Sequence, residues 1–187
     1  MSDVAGALKD AETKMNKAID VAKEDFAAIR TGRANPALFN KIMVDYYGTY
    51  TSLSQLASIQ VPEARMAIIS PFDKGAMAGI EKAIRESDLG VNPGNDGVVI
   101  RVNFPQLTEE RRKEIIKGLH KLVEESRVGI RSHRREAIDG IKKREKAKEF
   151  SEDEARRLQD EIQKVTDKQI AEIDTLLSAK ERELTEG

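Results

Sequence analysis

RVGIRSHRREAIDGIKKREK, residues 127–146, gathers nine Arg, Lys and His side chains in twenty positions, in a chain whose formal charge is only −1. The positive charge is therefore concentrated and not general. Guanidinium groups at this density suit one kind of chemistry, the capture of polyanions, because each presents a rigid fork of donors that matches phosphate. At 100° per residue, Arg127, Arg131, Arg135, Lys142 and Lys146 fall within about 100° of arc, so a helix would carry them as one row. Arg134 lies nearer the apolar side, where its stem can cover hydrophobic surface while its head reaches water. A second pair, Arg30 and Arg33, brackets Gly32 in RTGRANP (30–36), a stretch with no acidic residue. Sequence-independent contact with RNA backbone is the chemistry these clusters fit best.

The plain alternative is a solvated helix face, paired within the molecule. Residues 127–148 hold nine Lys/Arg against three Asp/Glu, and residues 149–187 hold six against twelve, so an acidic partner follows directly. Three features favour the polyanion. The local excess leaves cations without an i,i+4 partner; Arg outnumbers Lys from 127 to 135; and arginines recur at 30 and 33.

Other chemistries find little support. There is no cysteine, which excludes disulfides and thiolate catalysis. His120 and His133 lie at no metal-binding spacing. No phosphate-binding loop, dinucleotide fingerprint or nucleophile elbow occurs. The expectation is a protein that is not an enzyme, with no catalytic residue, cofactor or metal. Tyr46, Tyr47 and Tyr50 read as core and turn residues of a small domain in preference to base-stacking platforms. The start, MSDVAGALKD, lacks a basic end followed by an apolar run, predicting no leader. No uncharged apolar run approaches the roughly 18 residues of a membrane span. A soluble cytoplasmic protein is expected.

The elements that position these residues follow from periodicity. Leu8, Met15, Ala22 and Ile29, with Val4, Ala11 and Ala18, predict a helix over 3–29, with Ser2 as cap. Gly32 and Pro36 end it. KIMVDYY (41–47), ARMAIIS (64–70) and VVIRVN (98–103) predict strands. DKGAMAGIEKAIRES (73–87) predicts a helix capped by Asp73, and VNPGNDG (91–97) a loop. Helix returns after Pro105, capped by Thr108 and carrying Ile116, Val123, Ile130 and Ala137 at seven-residue intervals. Ser151 with Glu154 predicts a capping box, with Phe150 as its staple, opening a last helix through Leu158, Ile162, Val165, Ile173, Leu176 and Leu184. Three apolar stripes can bury one another in a long antiparallel three-helix bundle. The expected fold is α+β: a bundle domain of residues 1–30 and 105–187, with a small β/α/β domain, 31–104, inserted between the first and second helices. The crossings at 30–36 and 103–107 would form a hinge.

RTGRANP (30–36), FPQLTEERRKE (104–114) and RVGIRSHRRE (127–136), in that order and at those separations, resemble the ribosome recycling factor family over essentially the whole chain. The resemblance implies an L-shaped protein that binds the post-termination ribosome and, with elongation factor G and GTP hydrolysis, separates the subunits so that mRNA and tRNA leave. It implies that the bundle lies on large-subunit ribosomal RNA. By motif, Arg131 is the leading RNA-binding residue, with Arg127, Arg134 and Arg135 beside it. Arg30 and Arg33 match an RNA-contacting loop, and Thr31, Gly32 and Pro105 match the hinge. The family commonly has consecutive prolines where this chain has FPQ (104–106), and Asn with an aliphatic residue where it has Ser132 and His133. A structural coiled-coil adaptor and a general RNA-binding chaperone are the alternatives; since the stripes can satisfy one another, a monomer is expected.

Overall fold

Asp3 opens the first helix, its carboxylate accepting the Gly6 amide at 3.1 Å and its carbonyl accepting the amide of Ala7. The computed structural model describes residues 3–186, so the expected cap Ser2 lies outside the described residues. Helix α1 spans Val4–Ala27, α4 Glu109–Lys146 and α5 Glu152–Glu186. Between α1 and α4 lie β1 (Met43–Tyr46), β2 (Thr49–Ser52), the one-turn α2 (Leu53–Leu56), β3 (Ala57–Glu63), β4 (Met66–Pro71), α3 (Met77–Arg85), β5 (Asn92–Asn95) and β6 (Ile100–Asn103), with short 3-10 turns at Pro36–Phe39 and Lys74–Ala76. The fold is α+β. It divides into two compact units, one of residues 1–26 with 116–181 and the other of residues 27–115 with 182–187.

The first unit is helical. Its buried side chains are Met15, Ile19, Ala22 and Phe26 of α1, Leu119, Val123, Ile130 and Ile141 of α4, and Ala155, Leu158, Ile162 and Ile173 of α5. Ion pairs and hydrogen bonds at 120–181, 127–174 and 134–163 make α4 and α5 antiparallel. Those at 16–169 and 23–172 make α1 and α5 parallel. The seam of α1 departs from the expected one: Ile19 and Phe26, not Ala18, fill the alternate positions, because the bulkier side chains bury more apolar area, and Ile29 lies beyond the helix end at Ala27. In α4, Leu119 is buried and Ile116 is 36% exposed.

Two buried polar residues of α5 were not anticipated. Thr166 returns its hydroxyl to the Ile162 carbonyl at 2.8 Å. Gln169, 3% exposed, donates to the Asn16 side chain at 3.1 Å, while its own Oε1 has no partner.

The second unit holds a four-stranded antiparallel sheet in the order β3-β4-β6-β5 and the separate hairpin β1-β2. Ile69, Ile100, Val102, Ile80, Ile84, Phe39 and Phe104 pack its core. Three strands went unforeseen. NPGN was expected to be loop, yet it forms β5, an edge strand, where the amide that Pro93 lacks is not needed by a second neighbour. β3 alternates burial through Ile59 and Val61, and Pro62 sits near its end, beside a register shift against β4. β2 is short, with a polar, mostly exposed pattern.

Two of the expected caps are present as expected, at Thr108 and at Ser151 with Glu154; Asp73 caps the 3-10 turn at Lys74–Ala76, and α3 itself starts behind Ala76 with no side-chain cap. Asp73 accepts the Gly75 amide at 2.9 Å, and Thr108 accepts that of Arg111 at 3.1 Å. Ser151 and Glu154 exchange side-chain and backbone bonds reciprocally, both at 3.1 Å, with Phe150 buried beside them.

Candidate nucleic-acid interface

The cation row is a consequence of one uninterrupted helix. From Arg131 to Lys146 it runs about 22 Å along α4 at 1.5 Å per residue. Nothing breaks the helix between them. Arg131, Arg135, Lys142 and Lys146 are all exposed, and none meets a carboxylate among the described residues. Asp139 and Glu136 share the surface, and Glu136 lies 3.8 Å from His133.

Arg127 of the row, and Arg134 beside it, differ. Arg127 donates to Glu124 at 2.7 Å and to Asp174 of α5 at 2.5 Å. The hydrogen bonds to Asp174 and then Glu124 raise its pKa above an already high value, so its charge is balanced within the molecule. Arg134 is half-buried and donates from Nε to the Gln163 side-chain carbonyl at 2.6 Å, and Gln163 in turn donates to Asp167 at 2.8 Å. Its partner is a neutral amide, which fixes the stem and leaves the charge uncompensated by direct contact.

In the second unit the RTGRANP arginines part company. Arg33 is exposed. Arg30 is 7% exposed, donating to the Leu89 carbonyl at 3.3 Å and to the Pro105 carbonyl, with its guanidinium 5.3 Å from the Phe104 ring centroid. Burial first, and then the nearby positive Arg111, lower its pKa from the usual value. The expectation of an RNA-facing Arg30 is therefore corrected: its Nη1 and Nη2 groups are turned inward, onto the main-chain carbonyls of Leu89 and Pro105. The hinge residues fall in the same unit. Thr31 is buried and donates to Glu183 at 2.7 Å. Gly32 has φ of 112°, a left-handed conformation that any side chain would strain. Pro105 is exposed and supplies the carbonyl that Arg30 holds.

The remaining candidates resolve as follows. Tyr46 packs against the core and donates to Asp73 at 2.6 Å. Tyr47 is a turn residue, between β1 and β2, and Tyr50 lies on β2; neither belongs to the core, at 77% and 73% exposed. His120 pairs with Glu181 at 2.9 Å. Among the described residues no cluster of His, Asp and Glu is arranged to hold a metal ion, and no helix is long and apolar enough to cross a membrane.

Fold and site together define a two-unit α+β protein with a long helical body and a row of open cations along one helix. Residues 22–185 match the family model described as ribosome recycling factor. The ribosome-recycling factor of Cutibacterium acnes is 60% identical over 186 residues, covering 100% of both chains. That of Streptomyces avermitilis is 59% identical over 179 residues, covering 96% of this chain and 97% of the other. A solution structure of the ribosome recycling factor aligns with a TM-score of 0.75 and 44% identity over 100% of both chains. A Thermus thermophilus ribosome recycling factor, described together with Escherichia coli elongation factor G on the post-termination complex, aligns with a TM-score of 0.66 and 43% identity, covering 98% of this chain and 99% of the other. The chain belongs to the ribosome recycling factor family.

Proposed function

We propose that this chain binds the post-termination ribosome and, with elongation factor G and its GTP hydrolysis, promotes subunit separation and the release of mRNA and tRNA. It acts in the cytoplasm, as a monomer, and catalyses no bond change itself. Family membership over the full length supports the reading, as does the neighbour described with elongation factor G on a post-termination complex. The observation that carries it is the exposure of Arg131 and Arg135 on α4, neither of them in contact with a carboxylate among the described residues. These two lead the contact with large-subunit ribosomal RNA. Arg33 and Arg134 contribute, and Arg127 contributes less because Glu124 and Asp174 already hold it.

The bundle domain is residues 1–30 with 105–187, the small domain is 31–104, and the two reorient about a hinge at 30–36 and 103–107. Backbone bonds from Ala34 to Ala64 and from Phe104 to Arg65 anchor the small-domain end of each crossing. Thr31, Gly32 and Pro105 are the hinge residues, and Gly32 supplies conformational freedom.

Sedimentation of the full chain with ribosomes, in the presence and absence of competitor duplex RNA, tests the reading. Retention on ribosomes against excess duplex is expected. Equal affinity for both would favour a general RNA chaperone, and a stable dimer by mass at low micromolar concentration would favour a coiled-coil adaptor.

A further inference from the structure

Asp88 and Leu89, in the turn that follows α3, are held from two sides within the second unit. Arg30, three residues past the end of α1, donates from Nη1 to the Leu89 carbonyl at 3.3 Å and from Nη2 to the Pro105 carbonyl. Arg111, in the first turn of α4, donates from Nη2 to the Asp88 carbonyl at 2.8 Å. Adjacent carbonyls of one turn thus meet an arginine that follows the first helix and an arginine that opens the helix after the sheet. Leu89 itself is buried in the core of the small domain, so a grip on this turn is a grip on that domain.

By the division proposed above, Arg30 and Arg111 belong to the bundle domain, and Asp88 and Leu89 to the small one. The contacts cross that boundary, in keeping with the grouping of residues 27–30 and 105–115 with the sheet in one compact unit. The grip is also easily loosened. Its acceptors are neutral carbonyls, which water can replace once a side chain leaves. Arg30 meets no carboxylate among the described residues, its Nε is buried without a partner, and its guanidinium rests 5.3 Å from the Phe104 ring centroid. A buried cation without a counter-charge is unfavourable to hold, and the like charge of Arg111 adds to this, as the lowered pKa of Arg30 reflects. Arg111 keeps a resting partner when it lets go, since its Nη1 lies 3.0 Å from Glu114 on the same helix.

We propose that Arg30 and Arg111 form a releasable catch on the Asp88–Leu89 turn, which must open before the domains reorient about the crossings at 30–36 and 103–107. This rests on the hinge reading above. Because Arg30 lies in the first crossing and Pro105 in the second, the catch joins the two, and they bend together and not separately.

The chain has no cysteine, so Val98→Cys and Val128→Cys, at exposed positions on the small domain and on α4, supply one label pair for interdomain distance distributions. Arg111→Ala, Arg30→Ala and, as a control, Arg85→Ala are each compared with the otherwise unaltered labelled chain, with folding checked by circular dichroism. Arg85 pairs with Glu81 on α3 and takes no part in the catch. Arg111→Ala and Arg30→Ala are expected to move population out of the main distance peak and broaden the distribution, and Arg85→Ala to leave it unchanged. Arg111 is only half-buried, so its variant carries the test if Arg30→Ala does not fold. A broad distribution in the unaltered chain that neither catch variant changes would overturn the catch and leave the hinge standing. An equal shift in Arg85→Ala would trace the effect to general loosening and overturn the catch as well. A single narrow distribution in every variant would bring down the hinge and the catch together.

Discussion

Arg30 and Arg131 are the same residue type in two motifs rich in arginine, and they do opposite things. Arg131 stands in solvent, whereas Arg30 spends its donors on Leu89 and Pro105 carbonyls inside the second unit. The difference was not legible in the sequence, since neither carbonyl lies near Arg30 along the chain. The row on α4 was legible, because helical periodicity alone places 127, 131, 135, 142 and 146 on one arc. The capture of Arg127 by Asp174, forty-seven residues away, was not. Arg30→Ala should destabilise the protein by roughly 2 kcal/mol, since it takes the donor from the carbonyl of buried Leu89. Arg30→Lys should recover little, because an ammonium cannot reproduce the fork. Thermal melting with both variants checks this; a melting temperature unchanged by Arg30→Ala would mean that those bonds contribute nothing.

At the level of elements, the helix ends were the most readable features. Thr108 and the Ser151–Glu154 pair cap as their spacing predicts, because capping is local chemistry, whereas Asp73 caps the 3-10 turn that precedes α3. Strands were harder. NPGN looks like a turn by composition and becomes β5 only because β6 lies alongside it. In the bundle, Gln169 of α5 is one of two polar residues, with Thr166, in a largely apolar seam. Its amide reaches Asn16 of α1, but its Oε1 goes unmatched. A buried acceptor without a partner costs about 1–3 kcal/mol. Gln169→Leu is therefore expected to raise the melting temperature, by a margin on the order of 1 kcal/mol. A drop would mean that the Asn16 bond outweighs the unmatched oxygen. What the polar pair supplies in exchange is register, since only one axial alignment of α1 and α5 joins the two amides.

For the whole molecule, the near-zero net charge conceals a basic segment followed by an acidic one. The acidic helix α5 reaches the row at Arg127 through Asp174 and approaches Arg134 through Gln163 and Asp167. It leaves Arg131 and Arg135 open. This division explains why total charge is a poor guide here: screening is decided residue by residue, over distances shorter than the Debye length of about 8 Å at physiological salt. That the chain holds two units was readable from the shift in composition, where long apolar stripes give way to short β-rich runs and then return; the compact units divide at residues 27, 116 and 182. The motion between the domains belongs to the proposal. A label pair, one on each domain, should give a broad or multiple distance distribution about the crossings at 30–36 and 103–107; a single narrow distribution would argue against a working hinge.

The central claim is that open guanidinium groups on α4 meet ribosomal RNA phosphate. Its most direct test is the salt dependence of ribosome binding by Arg131→Ala, compared with the unaltered chain and with helix content followed by circular dichroism. The account predicts weaker binding, a slope lower by about 0.7–0.9 and unchanged helicity. An identical slope and affinity, with the variant folded, would contradict it.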